Sequence, residues 1–393
     1  VLDFAAVHHD CGGCGACANI CPDGAIKMTA DERTGFLYPR ADASLCTGCS
    51  ACHRACPAAE PTPKHAIPEV YAAWAKDSGL RFASSSGGLF TLMAEEIIRR
   101  GGAVYGAVLD HDLIVRHKAT TSVAGLAAMR GSKYVQSDSG HTFREARDWL
   151  DAGKPLLYSG TPCQIAGLRA YLGQEYENLY LIDLICFGVP SPLAFSRHIK
   201  HLEQKRGSTI TAVNFRDKRK YGWRFAVSYR YADGYESKPV DTSLDAFMYG
   251  LFNNRYTRDC CASCPYTTLE RVSDITLGDF WGIMEWRRDI QGKTGVSMAL
   301  ISTDKGRELF DSAADKAVIL EETAEHALRS APRLAGIRHT DGKGYNSGYY
   351  DAVSRLPYEE VERLYLRPKH FWLRRLLPAK LISLMIDLKK RRG

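Results

Sequence analysis

Cys11, Cys14, Cys17 and Cys21 follow the spacing C-x2-C-x2-C-x3-C and are trailed by Pro22. Cys46, Cys49, Cys52 and Cys56 repeat that spacing and are trailed by Pro57. Three thiols two residues apart wrap a tight loop around three corners of a [4Fe–4S] cubane, and the fourth projects from the next turn to a second cubane. The spacing therefore assigns Cys11, Cys14, Cys17 and Cys56 to cluster 1. Cys46, Cys49, Cys52 and Cys21 fall to cluster 2. Gly12, Gly13, Gly15 and Gly48 permit the tight loops, and free amides there can donate to cluster sulfurs. Zinc sites take paired cysteines rather than two such triplets. The chemistry indicated is one-electron transfer, and the segment reads as a two-cluster ferredoxin module.

Five further cysteines lie beyond it. Cys163 in SGTPCQ and Cys186 in LIDLICFGVPSP stand at the ends of apolar runs, and Cys260, Cys261 and Cys264 crowd RDCCASCPY. The C-x2-C pair of Cys261 and Cys264, joined by Cys163 and Cys186 from strand ends, makes a candidate third [4Fe–4S] site. Cys260 competes with Cys261 as a ligand. Two other readings stay open: zinc on the pair, and Cys186 as a small buried hydrophobe.

Clusters pass single electrons, whereas metabolic reductions usually take two, so such modules are commonly joined to a flavin. No GxGxxG follows a first strand, and a Rossmann dinucleotide site is not indicated. The best anion-binding candidate is Ser84-Ser85-Ser86-Gly87-Gly88 at a helix start, where amides, dipole and hydroxyls suit a pyrophosphate. The same residues also read as an ordinary N-cap. Lys133 and Tyr134 in GSKYVQS add a charge and a stacking ring.

The elements that must position these groups are legible in outline. The chain has 393 residues, thirteen cysteines and a net charge of +7. An odd cysteine count without a secretory signal argues against a disulfide framework and for a reducing cytoplasm. Residues 58–70 hold three prolines and read as linker. Beyond them, the runs AVYGAVL, PLLYSG, LYLIDLICFGV and DITLGDF look like strands. They alternate with helical stretches LFTLMAEEIIRR, TFREARDWLDAG, QIAGLRAYLG and LAFSRHIKHLEQKRG, the signature of an α/β body. RFAVSYRYADGYESKPV reads as a hairpin turning at Asp233-Gly234. The fold class expected is α/β with α+β elements, a bacterial-type two-[4Fe–4S] ferredoxin fold followed by an α/β body.

SSSGGLFT, GSKYVQS, YSGTPCQIAGL, IDLICFGVPSP, NFRDKRKYGW, CASCPY and DITLGDFWGI occur in that order. Together they resemble the beta subunit of coenzyme F420-reducing hydrogenases and related dehydrogenases over roughly residues 80–310, with the ferredoxin fused ahead of the body. The bacterial members associated with polysaccharide biosynthesis are the nearest type. The resemblance implies an FAD in the body, with contacts from Ser86, Gly87, Gly88, Thr91, Lys133 and Tyr134, and a third cluster on Cys163, Cys186, Cys261 and Cys264. Asp183, Arg216, Asp217, Lys218, Asp274 and Asp279 lie in family motifs without assigned roles. Asp183 and Asp279 read equally as turn or helix-cap carboxylates. The domains expected are 1–60 (ferredoxin), 61–78 (linker), 79–160 and 161–325 (the two parts of the body) and 326–393 (a C-terminal extension).

Function follows as an iron–sulfur flavoprotein oxidoreductase. Its protein partner would be reduced ferredoxin or another electron carrier, and its substrate coenzyme F420, a deazaflavin, or a small metabolite. The alternative is an electron-transfer partner subunit with no substrate of its own. From Leu366 to Gly393 nine Lys/Arg stand against one Asp, so the rest of the chain is nearly neutral and nucleic acid is not indicated as a partner. The tail HFWLRRLLPAKLISLMIDLKKRRG mixes apolar and basic residues. It reads either as a contact with an anionic membrane at its inner face or as a packed segment with a solvated basic end. This tail fits the polysaccharide-associated relatives better than users of coenzyme F420. If the membrane reading holds, deleting residues 370–393 should abolish co-flotation with anionic vesicles, and unchanged flotation counts against it.

Overall fold

A computed structural model of the chain describes residues 9–290, 292–336, 348–368 and 371. Apart from residue 371, the tail from His370 onward lies outside the described residues, and the membrane reading with it. Among the described residues no helix is long and apolar enough to cross a membrane.

In the cysteine-rich segment β1 (Ile26–Ala30) pairs antiparallel with β2 (Leu37–Ala41), Ile26 opposite Ala41 and Ala30 opposite Leu37. Each cysteine run carries a short helix, Ala16–Ile20 and Ala51–Arg54. The residue before each is left-handed, Gly15 at φ 83° and Ser50 at φ 58°. Glycine takes that conformation freely, whereas Ser50 meets a steric cost of about 1–2 kcal/mol. Cys17, Cys21 and Cys52 are buried with Ala25 and Ile26, so the thiols themselves form the small core of this segment.

The remaining strands are β3 (Glu69–Ala75), β4 (Ala103–Leu109), β5 (Val115–Thr120), β6 (Leu156–Gly160), β7 (Leu179–Leu184), β8 (Ile210–Asn214), β9 (Ala226–Tyr231), β10 (Val240–Asp241), β11 (Ile275–Asp279), β12 (Ser297–Ile301) and β13 (Ala317–Glu322). Eight form one sheet in the order β13-β3-β12-β11-β7-β6-β4-β5. Its centre, β4, β6, β7 and β11, is parallel. β5 on one side and β12, β3 and β13 on the other are antiparallel to their neighbours. Alternation sends Val104, Leu157, Ile182 and Ile275 to one face, against helices Leu89–Arg99 and Asp304–Asp311. Ala103, Tyr105, Leu156, Tyr158 and Leu181 go to the other, against Thr142–Asp151 and Pro162–Leu172. Helices on both faces of a largely parallel centre give the α/β class expected from the sequence.

A second sheet, β10-β9-β8, carries helices Pro192–Arg206 and Ala246–Phe252. The return leg of the expected hairpin is reduced to an Arg230–Glu236 bridge and the two residues of β10.

Two expected boundaries need correction. β3 lies inside the 61–78 stretch read as linker, between β12 and β13. Its prolines end at Pro68, and VYAAWA is an apolar run with both faces covered, the pattern of an interior strand. The 325/326 boundary falls inside helix Ala324–Ser330, whose Ala327 is buried against the body. Tyr349, Val353 and Val361 pack with Phe195, Phe215 and Phe247, so the extension through residue 368 is built into the body.

Asp183 in β7 is fully buried, accepts from Thr276 Oγ1 at 2.5 Å and lies 3.0 Å from Arg271 Nη2. Arg271 in turn donates to the carbonyls of Tyr266 and Thr268, pinning the loop after Cys264 to the sheet. Breaking a buried pair strands one charge, so Asp183→Asn should lower the unfolding free energy by about 3–5 kcal/mol in urea denaturation.

Candidate functional site

The parallel strands end on one edge, at Leu109, Gly160, Leu184 and Asp279. Open α/β sheets place ligands outside such carboxyl ends. Cys163 follows β6 in the first turn of helix Pro162–Leu172, whose start is fixed by a capping box between Thr161 and Gln164. Cys186 follows β7 by two residues. The turn Asp259–Ala262 then brings up Cys260 and Cys261. Main-chain amides approach the sulfurs, Gly188 N at 3.4 Å from Cys186 Sγ and Val189 N at 3.4 Å from Cys261 Sγ. Thr161 Oγ1 is 3.2 Å from Cys163 Sγ.

These thiols sense one another. Burial pushes Cys163 up, and the charges of Cys186, Cys264 and Cys261 push it further. Cys186 is pushed up to about 12, by burial first and then by Cys261. The hydrogen bond from Cys260 holds Cys261 down and forces Cys260 up. Cys163, Cys186, Cys261 and Cys264 are thus brought together, with amides aimed at sulfur. A cubane is gripped at separate corners by four thiolates, the number of thiols gathered here.

In the N-terminal segment, Cys46, Cys49 and Cys52 line one pocket together with Cys21 from the other run. Cys17 is pushed up by burial and then by Cys11 and Cys56; Cys14 is pushed up by burial, then by Cys17, Cys11 and Cys163. The two sets of four are therefore grouped across the two runs.

The first cysteine loop lies directly on the body. A Cβ on Gly12 would stand 3.0 Å from Cys163 Cβ, and one on Gly167 would stand 2.6 Å from Cys14 Sγ. Arg144 donates to the carbonyls of Ala18, Asn19 and Cys21, and Ser139 Oγ donates to Cys14 O at 2.8 Å. No sequence signal marked Arg144 or Ser139, because each acts across more than a hundred residues.

The segment 84–88 gathers most of the other candidates. Arg216 Nη2 donates to Ser85 O at 3.1 Å, and Nη1 donates to Tyr134 Oη at 3.2 Å and to Asp279 Oδ2 at 2.7 Å. Lys218 Nζ donates to the carbonyls of Arg81, Ser86 and Thr294. Trp223 Nε1 donates to Asp279 Oδ1, and its ring stacks on Trp281 at 4.4 Å. The helix Leu89–Arg99 begins after Gly88 (φ 92°) with no side-chain cap, so the ordinary Ser N-cap is absent and the first-turn amides suit an anion.

Other candidates serve the scaffold. Lys133 Nζ donates to the carbonyls of Ala128, Met129 and Arg130, closing helix Leu126–Met129 instead of offering its charge to the loop. Burial holds its ammonium down at about 7. Thr91 is buried and accepts from Arg130 Nε at 3.3 Å. Ser86 Oγ donates to Val296 O. Gly87 is required by close approach, since a Cβ there would stand 2.4 Å from Ala73 O. Asp183 and Asp279 are strand residues rather than turn or helix-cap carboxylates. Asp217 caps helix Lys218–Tyr221, and Asp274 accepts from Leu181 N and Thr303 Oγ1.

Cysteine spacing and an α/β body with sites on its carboxyl edge define an iron–sulfur electron-transfer oxidoreductase. Residues 153–327 match the family model for the C terminus of the coenzyme F420 hydrogenase/dehydrogenase beta subunit, and residues 10–59 match the 4Fe-4S dicluster domain. Over 327 residues the chain is 25% identical to the F subunit of the F(420)H(2) dehydrogenase of Methanosarcina mazei, covering 80% of this chain and 86% of that protein. A chain of the xenon-derivatised F420-reducing [NiFe] hydrogenase complex from Methanosarcina barkeri aligns with a TM-score of 0.47 at 16% identity, over 70% of this chain and 91% of that one. Residues 153–327 are thus similar to the C terminus of that beta subunit, and residues 10–59 carry a [4Fe–4S] dicluster domain.

Gly167→Ala should displace Cys14 while leaving the sheet folded. Iron content is expected to fall by up to about four atoms per chain, one cubane, with the circular dichroism spectrum unchanged.

Proposed function

We propose that the chain is a flavin-dependent iron–sulfur oxidoreductase. Cys163, Cys186, Cys261 and Cys264 hold a third cubane, and the segment 84–88 with the start of helix Leu89–Arg99 holds the pyrophosphate of FAD. When bound, the cubanes carry single electrons and the flavin exchanges them for pairs with an organic partner.

The order of strands along the sheet carries this reading. β3 leads out into residues 84–88, and β12 begins at Ser297, whose Oγ accepts from Gly87 N at 2.9 Å. β11 ends at Asp279, which pairs with Arg216. Cys186 follows β7 and Cys163 follows β6, and the first cysteine loop rests on Cys163. Adjacent strands are about 4.8 Å apart. The residues proposed for flavin, third cubane and ferredoxin therefore stand in sequence along one edge, each beside the next. Arg216 and Lys218 hold the 84–88 backbone in shape, and Tyr134, Trp223 and Trp281 supply aromatic surface there.

The name of the Methanosarcina mazei relative favours a deazaflavin as the organic partner over a sugar intermediate. That relative is also named as one subunit of a dehydrogenase, which supports the second reading, a chain that passes electrons to a partner protein and has no substrate of its own.

Protein purified anaerobically should yield FAD and about twelve iron atoms per chain, four for each cubane. Cys264→Ser should remove about four. Iron near eight in the unaltered chain ends the third cluster. Absence of flavin, with turnover only through a partner protein, favours the second reading.

A further inference from the structure

Arg258 is 0% exposed, a permanent positive charge in the interior. Its main chain belongs to the third group of cysteines. The amide donates to Val189 O at 2.9 Å, and the carbonyl accepts from Cys261 N at 3.0 Å at the head of the turn Asp259–Ala262. Its side chain crosses to the other group. Nε donates to Cys11 O at 2.6 Å, Nη2 donates to Leu37 O at 3.0 Å and lies 3.6 Å from Cys11 Sγ. The guanidinium lies 4.0 Å from the centre of the Tyr38 ring. Nη1 is buried without a hydrogen-bond partner and would stand 2.8 Å from a Cβ on Gly13.

A buried guanidinium needs an anion, and a carboxylate is the usual one. Among the described residues none pairs with Arg258; the groups that act on it are Cys11, Tyr38 and Cys260. The strongest candidate for its counter-charge is the thiolate set expected at Cys11, Cys14, Cys17 and Cys56. Positive charge and donors directed at cluster sulfur favour the reduced state of a cubane.

We propose that Arg258 tunes cluster 1. Anchored beside Cys261 and reaching to Cys11, it serves as the buried counter-charge that raises the reduction potential of the cluster nearest the body relative to cluster 2. Electrons entering at cluster 2, where Cys49 is exposed, are thereby drawn towards the seam. This inference rests on the reading that residues 11–56 bind two cubanes.

The test is an EPR-monitored redox titration of the anaerobically purified holoprotein, with cluster 1 identified as the signal altered by Cys11→Ser. Arg258→Gln should lower the midpoint of cluster 1 and leave that of cluster 2 in place, and Arg258→Lys should retain most of the wild-type value. An unmoved cluster 1 midpoint in Arg258→Gln, with iron content intact, overturns the proposal. Should Arg258→Gln lose its clusters, the unaltered chain decides. Labelled with guanidino-15N arginine, it should show a weak 15N coupling to reduced cluster 1 in pulsed EPR, and no coupling overturns the tuning contact. Absence of any reduced-cluster signal in the unaltered protein overturns the two-cubane reading itself, an outcome separate from signals whose midpoint does not move.

Discussion

Electron transfer between buried centres weakens steeply with distance, so the structure depends on how closely the first cysteine loop can approach the sheet. Gly12 and Gly167 set that approach, because Gly167 leaves no room for a Cβ against Cys14 and Gly12 leaves only a tight fit against Cys163. Neither glycine is needed for an unusual φ; both are needed for space. The seam is then fastened chiefly through main-chain carbonyls. Arg144, Ser139 and Arg258 all donate to carbonyls of residues 11–21. Such bonds fix the path of the loop while leaving its thiols free for metal.

Topology converts that local contact into an ordered row. The antiparallel strand β12 starts at the edge where β11 ends, Ser297 opposite Asp279, and β3 leaves by the same edge, with Ala73 opposite Ser297. One edge of the sheet therefore collects a loop after β3, the start of β12, the end of β11 and the turns after β7 and β6. An all-parallel sheet would have placed the start of β12 on the far side. The mixed flank is what brings Gly87 onto Ser297 and Lys218 onto the carbonyls of Ser86 and Thr294.

The legible parts of this arrangement in the sequence were those whose signal is local. Eight cysteines at fixed spacing announce a cluster loop without any knowledge of the fold. Cys163 and Cys186 were harder, since a strand-end cysteine looks the same whether it faces metal or core; only the order of motifs along the chain singled them out. β3 was lost because a short apolar run beside three prolines takes on the character of its neighbours, and its partners β12 and β13 lie more than two hundred residues away. Lys133 was assigned a ligand-facing charge because an ammonium beside a tyrosine suggests one. Nothing in GSKYVQS shows that three carbonyls of the preceding turn would take all of it. Arg144 and Arg258 could not be read at all, as their partners are brought close only by tertiary folding.

The fate of each buried cation separates scaffold from site. Arg216 is neutralised by Asp279 and Arg271 by Asp183, while Lys133 and Lys218 are each absorbed by three carbonyls. These groups spend their charge inside the protein and shape the edge of the sheet. A phosphate at residues 84–88, as proposed, would therefore be left to the amides of helix Leu89–Arg99, whose start no side chain caps. Arg258 differs in kind. It is committed to two carbonyls and a thiol, with one nitrogen unsatisfied, and no carboxylate answers it among the described residues. A protein that pairs Arg216 and Arg271 with acids, yet leaves Arg258 facing sulfur, has placed an uncompensated charge where a thiolate-bound cluster would supply the balance.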